Sequence, residues 1–191
     1  MEIDSISYDL NSQFHMLRHF EKPDDVLINT MLQNGYSLEG IKSEFKQPGS
    51  KFNSNFAVNI ESLLLKLKDN GFQKTKGLNG NIILVSHFSA IEFPNGIGTM
   101  AVIPIDTLSK SEKSSIVFKE NRKLRLAHLQ VDQFPVTNSF CLILKSVKDV
   151  YRFITAFPGE PAMPLPDERM ETHLYKQAKV FWDEHVFLFT S

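Results

Sequence analysis

A single cysteine in 191 residues excludes a disulfide framework and a cysteine-built zinc site. No stretch approaches the roughly 18 consecutive apolar residues of a membrane-spanning helix. The opening MEIDSISYDL is acidic and polar, unlike a signal peptide. Neither sign of charge dominates: 21 Lys and Arg against 22 Asp and Glu leave a net charge of −1. That excludes a basic coat for nucleic acid over the whole surface, and equally an acidic disordered chain. The strong catalytic signatures are also missing: there is no Gly-rich phosphate loop, no H-E-x-x-H, no G-x-S-x-G and no Cys/His zinc spacing. What is present is a 42% hydrophobic chain with 16 Phe. It is enough for one ordinary core, or a small helical subdomain joined to a mixed one. The expectation is a globular cytoplasmic protein without cofactor, metal or membrane association. Its oligomeric state has no signature in the sequence.

Residues 1–76 read as a helical N-terminal region and residues 77–191 as an antiparallel-sheet α+β domain, together one compact unit. Pro23-Asp24-Asp25 opens a helix, placing negative charge at its positive end. Val26, Leu27, Ile28, Met31 and Leu32 form its apolar stripe, and Asn34-Gly35 ends it. A second helix runs from Ser37 to Phe45. The pair has helix-turn-helix spacing, but no Arg/Lys cluster on the second helix holds phosphates, so an ordinary hairpin is preferred. Asn59 caps the clearest helix, in which Ile60, Leu63, Leu64 and Leu67 fall on one face and Gly71 is the stop.

From residue 79 the pattern changes to strands. NIILVSHF (81–88) reads as a central strand, and GTMAVIPI (98–105) as a second, weakened by Pro104. LAHLQV (126–131) alternates, and SFCLILKS with VYRFITAF (139–146 and 150–157) makes an antiparallel hairpin. EPAMPLPD (160–167) is an exposed loop, because prolines exclude regular structure. Met170, Leu174, Ala178, Phe181 and Trp182 recur at helical spacing before a last strand, 186–189. N-terminal helices, then a twisted antiparallel sheet with a C-terminal helix, make the class α+β.

Cys141 alternates with Ile143 inside an apolar strand, as a core thiol does. His15 and His19 stand four apart, a metal half-site for which no third ligand is evident, so a solvated helix face is preferred. His185 lines up with Leu174, Ala178 and Phe181 as a structural imidazole; His87, ending an apolar strand, is open to either reading. His128 is the most informative. Ala127, Leu129 and Val131 form one strand face, leaving Leu126, His128 and Gln130 on the other, with Leu124 and Arg122 in the same parity. Residues 110–125 hold six basic and two acidic side chains, a local +4. A strand showing His128 and Gln130 beside Arg122, Lys123 and Arg125 puts a proton shuttle next to fixed positive charge. A solvated strand beside a basic loop accounts for the same pattern. In the hairpin, alternation puts Tyr151, Phe153, Thr155 and Phe157 on one face, and Arg152, Ile154 and Ala156 on the other.

The stretch FITAFP (153–158) resembles the strand-ending TAYP motif of the EndoU-like and related bacterial toxin ribonucleases. These belong to a wider group of metal-independent endoribonucleases that includes barnase and colicin nuclease domains. Phe157 stands where the motif has Tyr. The resemblance implies helices before a twisted antiparallel sheet, and catalysis by His, Arg or Lys, Thr or Ser and an aromatic residue. It implies that Thr155 contacts the scissile phosphate. Joined to strand parity, it predicts a metal-independent endoribonuclease of the toxin type. His128, Thr155 and Arg122 are then catalytic, while Arg125, Tyr151, Lys123 and Gln130 bind RNA. The alternative is a non-enzymatic protein-binding or inhibitory module, its partner surface made of phenylalanines and the Pro-rich loop. A DNA-binding regulator acting through residues 26–45 trails both.

Overall fold

A computed structural model describes residues 3–77, 80–121, 124–148, 150–167 and 169–190. In chain order its elements are β1 (Ile6–Ser7), α1 (Leu10–Met16), α2 (Asp25–Gln33), α3 (Leu38–Phe45), β2 (Lys51–Phe52), α4 (Ile60–Asn70), β3 (Gln73–Lys76), β4 (Asn81–His87) and β5 (Gly98–Thr99). There follow β6 (Val102–Pro104), α5 (Lys110–Ser114), β7 (Val117–Asn121), β8 (Leu124–Gln130), β9 (Val136–Thr137), β10 (Ser139–Val147), β11 (Val150–Pro158), α6 (Thr172–Glu184) and β12 (His185–Phe189). The class is α+β. Contacts group the chain into two units, Met1–Thr99 with Val136–Glu160, and Met100–Pro135 with Pro161–Ser191. The expected division between residues 76 and 77 falls inside the first, and three short strands join the helices of the N-terminal region.

The helices of the first unit start where side chains can satisfy their free N–H groups. The Asp24 carboxylate accepts from Val26 N–H at 2.8 Å, and Ser37 Oγ from Gly40 N–H at 3.0 Å. Asn59 and Ser62 cap α4 reciprocally, and Gly71, at φ +78°, ends it. The stripe of α2 is narrower than expected: Leu27 and Met31 are buried, but Val26 is 71% exposed. The sheet runs β1-β11-β10-β4-β3, antiparallel except for the β1–β11 pair. Ile60, Leu63 and Leu67 of α4 share one buried cluster with Leu84, Phe140, Leu142, Leu144 and Phe153 of the sheet.

The β10–β11 hairpin forms in the expected place, closing through a two-residue loop between Val147 and Val150, with Lys148 at φ +56°. One detail departs from simple alternation. The register shifts between Ile143 and Leu144, so Ile143 opposes Thr155 while Leu144 opposes Phe153. Neighbours on β10 point to opposite faces, so Thr155 and Phe153 do as well. The expected face of Tyr151, Phe153, Thr155 and Phe157 is therefore broken by a bulge at Ile154. Phe153 and Ala156 are buried, while Ile154 is 43% exposed.

The second unit carries a sheet in the order β6-β12-β8-β7, with β12 and β8 parallel. Leu108, Ala127, Leu129, Val186 and Leu188 form its core cluster. The run 98–105, expected as one strand, is divided. Gly98 and Thr99 pair with β2 and β9 in the first unit, whereas Val102–Pro104 pair with β12. A Cβ on Gly98 would meet the Lys51 carbonyl oxygen at 2.4 Å, so only glycine allows that close pairing. On α6, Leu174, Ala178 and Trp182 are buried as the spacing predicts. The Pro-rich segment 160–167 is irregular, but it is not the fully exposed loop expected. Pro166 is buried, and the Pro164 carbonyl accepts the Trp182 indole N–H at 3.1 Å. Among the described residues no helix is long and apolar enough to cross a membrane.

Candidate nucleic-acid interface

On β8 the face formed by Ala127 and Leu129 goes into the core, as the alternation predicts. The opposite face holds Leu126, His128 and Gln130. Register sets Val117 of β7 and Phe187 of β12 on either side of His128, and Phe189 beside Gln130. The imidazole stacks on Phe187 with centroids 5.4 Å apart and planes 28° from parallel. Phe187 in turn lies 4.5 Å from Trp182 of α6, at 11°. His128 Nδ1 is 3.1 Å from the Leu126 carbonyl oxygen. A carbonyl only accepts, so Nδ1 carries the proton and Nε2 is the basic nitrogen. His128 is half-buried, and Gln130 is exposed at the end of the row.

Positive charge is laid on aromatic rings along this edge. Lys119 Nζ sits 4.7 Å above the centre of Phe189. Opposite Ala127, Phe118 is 49% exposed, and the Arg125 guanidinium lies 4.2 Å over its ring. The Lys119–Phe189 pair lies on the His128 face, where a cation over a half-exposed ring next to an imidazole of fixed tautomer lets a base stack and a phosphate pair; the Arg125–Phe118 pair, in register with Ala127, lies on the other face of the sheet.

The expected site residues divide between the units. His128, Arg125 and Gln130 share β8. Arg122 and Lys123 lie outside the described residues. Thr155 and Tyr151 belong to β11 of the first unit. The Thr155 hydroxyl donates to the Met16 sulfur at 3.9 Å, and the Ala156 N–H meets the same sulfur at 3.4 Å, so this strand end is engaged in packing. Tyr151 is half-buried; Lys74 Nζ donates to its hydroxyl at 3.5 Å and lies 5.2 Å from its ring centre. Sequence reasoning missed Phe118, Lys119, Phe187 and Phe189. The alternation of HVFLF does put both phenylalanines of β12 on one face, but nothing local names β8 as the neighbouring strand.

The remaining histidines have partners elsewhere, His173 with Glu171 at 3.5 Å. His15 is exposed and 3.6 Å from Glu44, which also pairs with Arg18. His19 does not share that solvated face. It lies in the 3-10 turn after α1, with Nδ1 donating to the Ser50 carbonyl at 3.0 Å. Burial pushes its pKa down to about 4, and the charges of Arg18 and Lys51 act in the same direction. His185 stacks on Phe181 at 3.7 Å, and the exposed His87 contacts Ser139 Oγ at 3.0 Å. Cys141 is a core thiol, pushed up to about 12 by burial and by Glu160. Among the described residues no group of three His, Cys, Asp or Glu could hold a metal ion. Phe20, Phe52, Phe140 and Phe153 are fully buried, so much of the phenylalanine builds core, not partner surface. No protein-family model, no curated protein and no solved structure matches this chain.

Proposed function

We propose that the protein binds single-stranded RNA on the β7–β8–β12 surface and that His128 supplies acid–base chemistry for metal-independent cleavage of the bound strand. The observation that supports this most directly is the state of His128. Its ring stacks on Phe187, and its Nδ1–H is committed to the Leu126 carbonyl, which leaves Nε2 to take the 2′-hydroxyl proton as the 2′-oxygen bonds to phosphorus and to return it to the 5′-oxygen as the P–O5′ bond breaks. Lys119, on the same face as His128, adds charge for the phosphates, and Phe189 beneath it offers a π-face for a base. The rival protein-binding reading loses support from the buried phenylalanines and from the part-buried Pro-rich segment.

The test is a titration with a single-stranded oligouridylate at two salt concentrations in EDTA, followed by product analysis. Lys119→Ala should weaken binding and lower the magnitude of the salt slope by about 1. His128→Ala should retain binding within about tenfold and abolish cleavage. Absence of binding at low salt rejects the reading. Binding without cleavage in the wild type keeps the surface but removes the catalytic role of His128.

A further inference from the structure

The cavity beside α6 has an anatomy that the strand-binding surface leaves unused. It measures about 350 Å³, within the range of small-molecule sites. Its floor is apolar and tightly held: Leu126 and Trp182 are 3% and 6% exposed, and Pro166 is buried. The indole is fixed twice, by its N–H bond to the Pro164 carbonyl and by its stack on Phe187. The rim is polar. Tyr175, Lys179 and Asp183 occupy successive turns of one face of α6, and Arg125 of β8 lines the opposite side with its guanidinium carried over Phe118. Lys179 and Asp183 thus set one cation and one carboxylate beside a phenol and an indole.

We infer that this cavity is a nucleoside monophosphate site. Each part of such a ligand has a counterpart in the wall. Lys179 suits a phosphate, Tyr175 and the Trp182 floor suit a planar base, and Asp183 can accept from ribose hydroxyls or a base N–H. An apolar ligand would leave the charged rim without partners, and a dianion lacking a ring would leave the floor uncovered. The ligand is either a free nucleotide or one nucleotide of an RNA strand held on the adjoining surface. The second source rests on the RNA-binding proposal; the first does not.

Trp182 is the chain's sole tryptophan, so its fluorescence reports this cavity with no other indole contributing. The 191-residue chain would be titrated with uridine 5′-monophosphate, uridine and inorganic phosphate. Expected is a saturable change in emission with the monophosphate, with uridine and phosphate each at least about tenfold weaker. Lys179→Glu, on an exposed helix face, should weaken the monophosphate by about tenfold or more and leave the emission of the free protein unchanged. Tyr175→Leu, a second variant that keeps the rim charge, should weaken it as well. No saturable change up to about 10 mM, or one that both variants preserve, overturns the site. A parallel titration with oligouridylate separates the two proposals. Quenching by the monophosphate without strand binding keeps the cavity as a free-nucleotide site and rejects the RNA surface. Strand binding without a response to the monophosphate does the reverse.

Discussion

The rings of Phe52, Phe56, Phe88 and Phe140 in the first unit meet one another at centroid distances between 4.9 and 6.4 Å, in a cluster that is almost wholly buried. In the second unit the core cluster is aliphatic, the rings of Phe118 and Phe189 meet Arg125 and Lys119, and Phe187 stacks on both His128 and Trp182. The same residue type thus serves two ends. Ring against ring in a dry interior converts area into stability. Ring against cation at a wetted edge contributes little to folding and leaves a π-face available to a ligand. Composition alone, 16 Phe in one chain, does not distinguish these uses.

The largest expected effect tests the first half of that contrast. Phe140→Ala should cost about 3–5 kcal/mol in urea unfolding, because the surrounding rings cannot collapse into the vacancy. A loss below about 1 kcal/mol would break the comparison. Next is acid sensitivity in the first unit. The native pKa of His19, about 4, lies below the 6.5 of the unfolded chain. Between those values the unfolded state binds more protons, so stability falls as pH drops from 6.5 towards 4. The contribution is on the order of 2 kcal/mol, less than the full shift because the ring is only part-buried. His19→Gln keeps a donor for the Ser50 carbonyl and should flatten this pH dependence in unfolding measured at pH 7 and pH 4.5. An unchanged slope would refute the assignment.

Asn59→Ala removes one arm of the reciprocal cap of α4 and should cost about 1 kcal/mol, with Asn59→Asp close to neutral. The smallest stability effect belongs to the second unit's edge. Phe118→Ala and Lys119→Ala should each stay within about 0.5 kcal/mol of wild type, while Lys119→Ala lowers oligouridylate affinity and Phe118→Ala, on the other face of the sheet, does not. If either destabilises the fold as much as the cap variant does, these rings are structural and the contrast between the units fails.

Much of the helical structure was legible locally. The caps of α2, α3 and α4, the buried face of α4 and the inward line of α6 all follow from residues within a turn or two of each other. Strand identity was legible for β4, β8, β10, β11 and β12. Strand partnership was legible for the β10–β11 hairpin, whose strands are joined by a short turn, but not elsewhere, because Gly98–Ile105 reads as one apolar run whichever sheets its halves join. The bulge at Ile154 defeats alternation for the same reason, since the extra residue is defined only against β10. In the candidate site, His128 stood out through parity, but its stacking partner comes from a strand 59 positions along the chain, beyond the reach of any periodic pattern. Thr155 was nominated on a six-residue likeness, and the bulge turns it to the face opposite Phe153.

The sequence by itself determined the α+β class, the helix ends and which strand faces are apolar. These depend on hydrogen bonds and side-chain periods that close over a few residues. Only the tertiary structure decided which rings became core and which became surface, and which histidine lost its proton affinity to burial. It also set the second unit's β8 and α6 around one cavity. Those outcomes depend on contacts between residues far apart in the chain, where burial and neighbouring charge, not local pattern, set the energy.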